Sequence, residues 1–177
     1  MIVADDLRGR TVLVTGANSG LGRATVEALA ARGAHVILAA RSAERTAPVL
    51  EAVRARSLTG AVEFLPLDLA DMSSVRQAAE TVLAGGRPLD VLINNAGIAG
   101  TFGLSADGFD LTYATNHIGP FLLTELLRPA LERAPQGRIV NVSSVAQMKI
   151  KAWTGRCSSA VRSRAAADSS TTARPSS

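Results

Sequence analysis

The stretch Thr11–Gly22, TVLVTGANSGLG, decides the fold of this chain. Its first five residues are apolar or β-branched, as is typical of a strand buried within a parallel sheet. Glycines at positions 16, 20 and 22 follow at once, and an Ala-rich amphipathic segment then runs from Arg23 to about Arg32. Glycines let the backbone approach an anion, and a helix N-terminus offers free N–H groups. The stretch therefore predicts a strand, a phosphate-binding turn and a helix.

The glycine spacing is Gly-x-x-x-Gly-x-Gly, which differs from the Gly-x-Gly-x-x-Gly of the common dinucleotide motif. Three glycines alone are weak evidence, but their position between a strand and a helix favours pyrophosphate binding over an empty turn. The hydroxyl of Ser19 has two open roles, because it suits either a phosphate or a helix cap. The predicted binding residues of this turn are Gly16, Asn18, Ser19, Gly20, Leu21 and Gly22.

Downstream of the turn, apolar runs alternate with segments of helical periodicity, which predicts a doubly wound, Rossmann-type parallel sheet with five recognisable strands. Right-handed crossovers would place the loops after strands one, four and five on one rim, where ligands bind. Pro48 predicts a late start or a kink in the second helix, and Gly119-Pro120 predicts a bend in the longest one. The later strands are predicted at 35–40, 61–67, 89–94 and 138–143, and the helices at 42–58, 71–84 and 109–133, with Asp71 as an N-cap.

Composition divides the chain into two parts. The 177 residues suffice for about one domain, and with 47% apolar but 3% aromatic residues its core must be built from Ala, Val, Leu and Ile. Residues 149–177 hold six cations and one acid, a net charge of +5, so residues 1–148 carry −1. We expect a folded domain over 1–148 and a basic, disordered tail over 149–177, with nucleic-acid binding by this tail disfavoured.

The sequence also disfavours a membrane-spanning, a secreted or a disulfide-stabilised protein. No apolar run approaches the roughly 18 residues of a membrane span, and no secretory signal is recognised. Cys157 is the single cysteine, so no internal disulfide framework forms, and a reducing compartment is favoured. We expect a cytoplasmic protein with no membrane span and no metal site.

Four motifs together resemble the short-chain dehydrogenase/reductase family, over roughly residues 7–148. They are the glycine-rich turn at 15–22, Asn94-Asn95-Ala96-Gly97 after the fourth strand, the segment 116–124 (NHIGPFLLT) and the segment 138–144 (RIVNVSS). The last two are most similar to the retinol-dehydrogenase-like branch. The resemblance implies a nicotinamide cofactor and hydride exchange with a small carbonyl or alcohol substrate, for which an apolar molecule is one option.

The resemblance also assigns roles to residues. Asn116 matches an asparagine that holds a helix bend, and Ser144 matches the serine that hydrogen-bonds the substrate oxygen. Asp68 matches a residue that contacts adenine, with helix capping as the open alternative. Arg41 stands where NAD-preferring members have an acid, so NADP is favoured over NAD. The remaining predicted cofactor contacts are Leu69, Asn95, Ala96 and Gly97, the alternative for Asn95 and Gly97 being a purely structural turn.

The chain departs from the family in lacking Tyr-x-x-x-Lys beyond Ser144. Its one tyrosine, Tyr113, precedes Asn116, and its lysines are Lys149 and Lys151. The sixth and seventh strands are also missing, which predicts an exposed fifth strand and self-association. We expect a truncated or frameshifted oxidoreductase with impaired catalysis, or alternatively a non-catalytic dinucleotide-binding module. Sequencing the gene downstream of codon 148 tests the frameshift.

Overall fold

The computed structural model describes residues 6–57 and 61–144. Within them, five parallel strands form one sheet in the order β3-β2-β1-β4-β5, which confirms the predicted α/β architecture. Since β1 is central and the chain winds outward from it on both sides, the order reverses between β1 and β4. The strands are β1 Thr11–Thr15, β2 His35–Ala40, β3 Val62–Pro66, β4 Val91–Asn94 and β5 Arg138–Asn141.

Helices cover the two faces of the sheet, and the alternation of side chains along β1 shows how. Leu13 points into a core formed with α3 and α5, whereas Val12 and Val14 point into a core formed with α1 and α2. All three side chains are buried, as expected for a strand covered on both faces. The helices are α1 Gly20–Ala31, α2 Ala43–Arg54, α3 Met72–Ala84, α4 Leu111–Tyr113 and α5 Gly119–Glu132, with a π-helical turn at Ala114–Ile118.

The first turn of α3 is capped by two separate aspartates. The Asp71 carboxylate accepts hydrogen bonds from the backbone N–H groups of Ser73 and Ser74, which confirms it as the N-cap. Hydrogen bonds from the Ser73 side chain and from these backbone groups hold the pKa of Asp71 below its ordinary value. The remaining N–H, of Met72, donates to Asp107 at 3.0 Å. The loop before α4 is thereby tied to α3.

The second helix corrects one prediction. It begins at Ala43, directly after the N-cap Ser42, and it contains Pro48 in its interior. A late start caused by Pro48 is therefore wrong. The Ser42 side chain accepts a hydrogen bond from the Arg45 N–H, so capping by Ser42 fixes the start ahead of the proline.

The long helix predicted at 109–133 is interrupted earlier than expected. The irregularity lies at Ala114–Ile118, where the chain widens into a π turn and the Gly119 N–H donates to the Ala114 carbonyl. Pro120 follows and has no N–H to donate, and its ring crowds the preceding turn, so a widened turn relieves the conflict. The irregularity predicted for Gly119-Pro120 therefore takes the form of a π turn that ends directly before Gly119.

The fifth strand contrasts with the rest of the sheet. It pairs with β4, and all four of its residues are exposed, whereas every residue of β1 is buried. It ends at Asn141, two residues before the predicted end. The predictions for the tail, Cys157, Lys149 and Lys151 lie outside the described residues, as does the boundary at 148.

Candidate functional site

A cavity of about 640 Å³ opens where β1, β2, β3 and β4 end. The twelve residues predicted to bind a cofactor all line it: Gly16, Asn18, Ser19, Gly20, Leu21, Gly22, Arg41, Asp68, Leu69, Asn95, Ala96 and Gly97. Segments distant in sequence meet here because the carboxyl ends of parallel strands share one edge. The loops after β1, β4 and β5 lie at this one edge, as predicted, because these strands are adjacent and parallel. The loops after β2 and β3 also line the cavity, whereas residues 142–144, the described part of the loop after β5, do not.

The glycine turn is shaped by contacts that exclude a side chain. Gly16 has a φ of 64°, and a Cβ there would lie 2.8 Å from the Cα of Ala96. At Gly22 a Cβ would lie 2.5 Å from both Nδ2 of Asn95 and the carbonyl oxygen of Gly16. The turn therefore packs directly against the loop after β4, and its backbone is left facing the cavity.

Thr15 and Asn95 fasten these two segments together. The buried Thr15 hydroxyl accepts hydrogen bonds from the N–H groups of Asn95 and Ala96 at 3.1 and 3.0 Å. In return, Nδ2 of Asn95 donates to the Thr15 carbonyl at 2.9 Å. Asn95 thus combines the two roles left open from sequence, since it both forms a structural link and lines the cavity.

The N-terminus of α1 faces the cavity and is suited to binding an anion. Ser19 occupies the N-cap position, but its side chain makes no capping hydrogen bond, so the alternative that this hydroxyl caps the helix is wrong. The first turn holds no acidic residue. The positive end of the helix dipole therefore meets the cavity without a local negative charge to offset it.

Two arginines stand at the end of β2. Arg41 and Arg45 both line the cavity, and neither forms an ion pair with any carboxylate within residues 6–57 and 61–144. Arg45 was missed by the sequence analysis, although its spacing of four residues from Arg41, across a helix start, could have revealed it. Two cations without a carboxylate partner in the described part of the chain make this corner of the cavity suitable for a phosphate group.

Asp68 and Leu69 form the part of the cavity beyond β3. The Asp68 carboxylate accepts from the Ala70 N–H at 2.9 Å, while Asp71 caps α3, so the capping alternative for Asp68 is wrong. The Leu69 carbonyl lies so close to Gly119 that a side chain at position 119 would collide with it. Gly119 therefore lets the start of α5 support the cavity wall.

Asn116 and Ser144 lie outside the set of residues that line the cavity. Asn116, in the π turn, accepts from the Ile98 N–H at 2.9 Å and donates to the Ile98 carbonyl at 2.8 Å. This pair confirms the expected specific hydrogen bonding of Asn116 and fixes Ile98, a cavity residue. Ser144 is exposed and lies three residues beyond the end of β5.

The sole tyrosine is placed away from the cavity lining. Tyr113 is 54% exposed, and its ring stacks on His117 with centroids 5.1 Å apart. Across residues 6–57 and 61–144, no three His, Cys, Asp or Glu side chains are gathered where a metal ion could bind. In the same ranges no helix is both long and apolar enough to cross a membrane.

Comparisons with known proteins agree with this architecture. Residues 10–160 match the model of the short chain dehydrogenase family. The chain is 48% identical over 143 residues to dehydrogenase/reductase SDR family member 13 of Bos taurus, a match covering 81% of this chain and 38% of that protein. It is 44% identical over 141 residues to human retinol dehydrogenase 11, covering 79% and 44% respectively.

Among solved structures, the chain is similar to a metagenomic short-chain oxidoreductase in complex with NADP. The TM-score is 0.70 and the identity 35%, over 80% of this chain and 64% of that one. The chain thus spans less than half the length of the two curated relatives, and somewhat more of this structural neighbour.

Proposed function

This chain belongs to the short-chain dehydrogenase/reductase family, and on that premise we propose that it supplies the dinucleotide-binding part of an NADP-dependent oxidoreductase. The observation that carries the proposal is the single cavity bounded by the glycine turn, the start of α1 and two unpaired arginines. The residues present fit a dinucleotide, since the lack of side chains at 16 and 22 lets the turn pack against Ala96 and Asn95 and leaves its backbone facing the cavity.

Each part of the cavity has a proposed ligand group. The backbone of residues 16–22 and the Ser19 hydroxyl bind the pyrophosphate, because they combine unpaired donors with the helix dipole. Arg41 and Arg45 bind the 2′-phosphate that distinguishes NADP from NAD. Asp68 and Leu69 contact the adenine, and the loop Asn95–Gly97 lines the remainder of the cofactor.

The chemistry proposed for the family member is reversible reduction of a carbonyl to an alcohol. The cofactor would supply or accept the hydride at its nicotinamide ring, and water would supply or accept the proton of the alcohol oxygen. The Ser144 hydroxyl would donate a hydrogen bond to the substrate oxygen and stabilise the charge that develops there. Asn116 would hold the loop at Ile98 and the widened helix turn in place.

A second candidate is a dinucleotide-binding module without turnover. It is favoured by one observation: the only tyrosine of the chain, Tyr113, is exposed, stacks on His117 and does not line the cavity. A general acid for the substrate oxygen is therefore not provided by that residue. In this case the chain binds NADPH and reduces nothing.

A fluorescence titration with NADPH and NADH tests the assignment of the arginines. Arg41→Ala should weaken NADPH binding about tenfold or more and leave NADH binding unchanged, because one charge-assisted contact to the phosphate is lost. Arg45→Ala should act in the same direction. Arg76→Ala, an exposed arginine of α3 that does not line the cavity, is the matched control. Equal losses for both nucleotides would contradict the assignment.

Turnover separates the two candidates. The full chain, loaded with NADPH and given a panel of aldehydes and ketones, oxidises the cofactor under the first candidate and does not under the second. Ser144→Ala should abolish any turnover observed, without changing NADPH binding.

A further inference from the structure

A second cavity, of about 230 Å³, lies at the opposite edge of the sheet, where β1, β2 and β3 begin. It is closed by the C-terminal turn of α3 and the segment that follows it. Its volume is below the roughly 300 Å³ at which sites for drug-sized ligands begin, so a molecule of about a dozen heavy atoms suits it. None of its lining residues belongs to the cofactor cavity.

The walls of this cavity are apolar. Ile37, Leu65 and Leu89 line it with the small part of their side chains that is not buried, and Val82 is partly buried beside them, whereas the Phe64 side chain packs into the core on the opposite face of the sheet. Apolar surface of this kind gains free energy when a hydrocarbon or aromatic group displaces water from it. The walls therefore favour a ligand with an apolar body.

The rim carries two opposite charges, on Glu63 and Arg87, that form no direct ion pair with each other within the described residues. Oε1 of Glu63 lies 3.3 Å from Nε2 of His35, and a guanidinium nitrogen of Arg87 lies 3.0 Å from the same atom. Within the described part of the chain, Arg87 forms no ion pair, with Glu63 or with any other carboxylate. Burial lowers the pKa of His35, with Arg87 assisting and Glu63 opposing, so the imidazole between the two charges is neutral at pH 7.

The charge pattern discriminates between ligand classes. A ligand with only a carboxylate would be attracted by Arg87 but repelled by the nearby Glu63. A ligand with only an amine would be attracted by Glu63 but repelled by Arg87. A molecule with both groups on one carbon satisfies both residues, because their charged ends lie 3.3 and 3.0 Å from the same atom, Nε2 of His35. The carbonyl end of the α3 dipole, at Thr81–Gly85, adds to the attraction for an ammonium group.

We propose that this cavity binds a free α-amino acid with an apolar side chain, its carboxylate on Arg87, its ammonium on Glu63 and its side chain among Ile37, Leu65 and Leu89. The site is separate from the cofactor cavity and does not depend on the function proposed for that cavity. It requires no covalent step.

Three probes that differ only in their charged groups test the proposal. L-phenylalanine, 3-phenylpropanoate and 2-phenylethylamine are titrated to about 20 mM into the ¹⁵N-labelled full chain, and amide shifts are followed by NMR. We expect saturable shifts at the amides around the second cavity with L-phenylalanine, and at least tenfold weaker binding of the other two, because each lacks one charge-assisted contact. Equal binding of 3-phenylpropanoate would overturn the amino-acid assignment in favour of an anion site.

Variants of the rim complete the test. Arg87→Gln and Glu63→Gln should each weaken L-phenylalanine binding about tenfold, while Glu51→Gln and Arg76→Gln, exposed charges away from the cavity, should not change it. All four positions are exposed, and the amide spectrum of each variant verifies the fold. Absence of saturable shifts in the unmodified chain, or unchanged affinity in both rim variants, overturns the proposal.

Discussion

The two edges of the sheet carry cavities built by different means. At the carboxyl edge, backbone shapes the cavity, because Gly16 and Gly22 pack without side chains against Ala96 and Asn95. At the amino edge, side chains shape it, and a Cβ added at Gly86, in the connecting turn nearby, would meet no atom within 4 Å. A substitution at the carboxyl edge would displace the backbone that forms the cavity. At the amino edge a side chain can be exchanged while the backbone stays in place.

This difference predicts that substitutions at the carboxyl edge affect stability and binding together. Substitutions at the amino edge should affect charge and ligand binding at the second cavity, with small effects on stability and none on NADPH binding. Four experiments test this difference between the two edges.

The largest effect is expected for Gly22→Ala. The added methyl would overlap Asn95 and the Gly16 carbonyl, so the free energy of unfolding should fall by about 3 kcal/mol. Displacement of the turn should weaken NADPH binding about a hundredfold, because at least two hydrogen bonds to a charged group are lost. Urea unfolding and a fluorescence titration measure the two quantities.

The matched control is Gly86→Ala at the amino edge. Gly86 also has a positive φ, of 70°, but open space around it, so only the backbone conformation costs free energy, about 1 kcal/mol. NADPH binding should be unchanged. A similar loss of affinity in both variants would show that the two edges are not distinct.

The next-largest loss of stability at the carboxyl edge is expected for Thr15→Val. Valine keeps the shape but removes the hydroxyl that accepts from the N–H groups of Asn95 and Ala96, and we expect a loss of about 2 kcal/mol in urea unfolding. Thr25→Val removes a hydroxyl that bonds only the Leu21 carbonyl on an exposed helix and should change stability by less than about 0.5 kcal/mol. Equal effects would mean that the Thr15 link is unimportant.

Asn116→Ala should have a smaller effect, about 1 kcal/mol, because its two hydrogen bonds to Ile98 are exposed. The more specific readout is hydrogen exchange, in which the Ile98 amide should lose protection. His117→Ala, on the same turn, removes a ring that stacks on Tyr113 and should leave the Ile98 amide protected. If the hydrogen exchange rate of the Ile98 amide is unchanged in Asn116→Ala, Asn116 does not position the loop at Ile98.

The smallest effect on stability is expected when the pH is lowered and His35, at the amino edge, becomes protonated. The pKa of His35 is lowered from its ordinary value of 6.5, mainly by burial, so the folded chain binds this proton less readily than the unfolded chain. The contribution of His35 to stability is therefore complete above pH 6.5 and is lost as the pH falls through and below that value. The melting temperature should decrease from pH 7 to pH 5, and less so in His35→Gln.

Two other groups with lowered pKa values could also make the stability depend on pH, but they titrate in a lower pH range than His35. Asp71 and Glu27 also have lowered pKa values, and their ordinary values of 3.8 and 4.5 place their titration below pH 5. An identical pH dependence in His35→Gln would contradict the assignment to His35.

Sequence predicted the parts of the molecule that local chemistry determines. The strand at Thr11–Thr15, the glycine turn and the Asp71 cap follow from periodicity, turn glycines and capping residues. The other residues around the carboxyl-edge cavity were predicted from the resemblance to a family, not from a local pattern. Hydrogen bonding of Asn116 was also predicted, because asparagine is disfavoured within a helix unless its side chain is engaged.

The remainder depends on contacts between distant residues. The π turn reflects both Pro120 and the bonds from Asn116 to Ile98, and the second cavity requires Arg87 to reach His35 across 52 positions of sequence. Arg45 was missed because only the start of α2 at Ala43 turns it toward the cavity. The π turn and the second cavity follow from the packed fold and have no local pattern, whereas the four-residue spacing of Arg45 from Arg41 is a local signal.

Calorimetry of NADPH binding to the dialysed full chain tests the central claim most directly. The backbone turn at residues 16–22 and the two arginines predict saturable binding of one NADPH per chain, with weaker binding of NADH. Folded, soluble protein that takes up no NADPH would contradict the account.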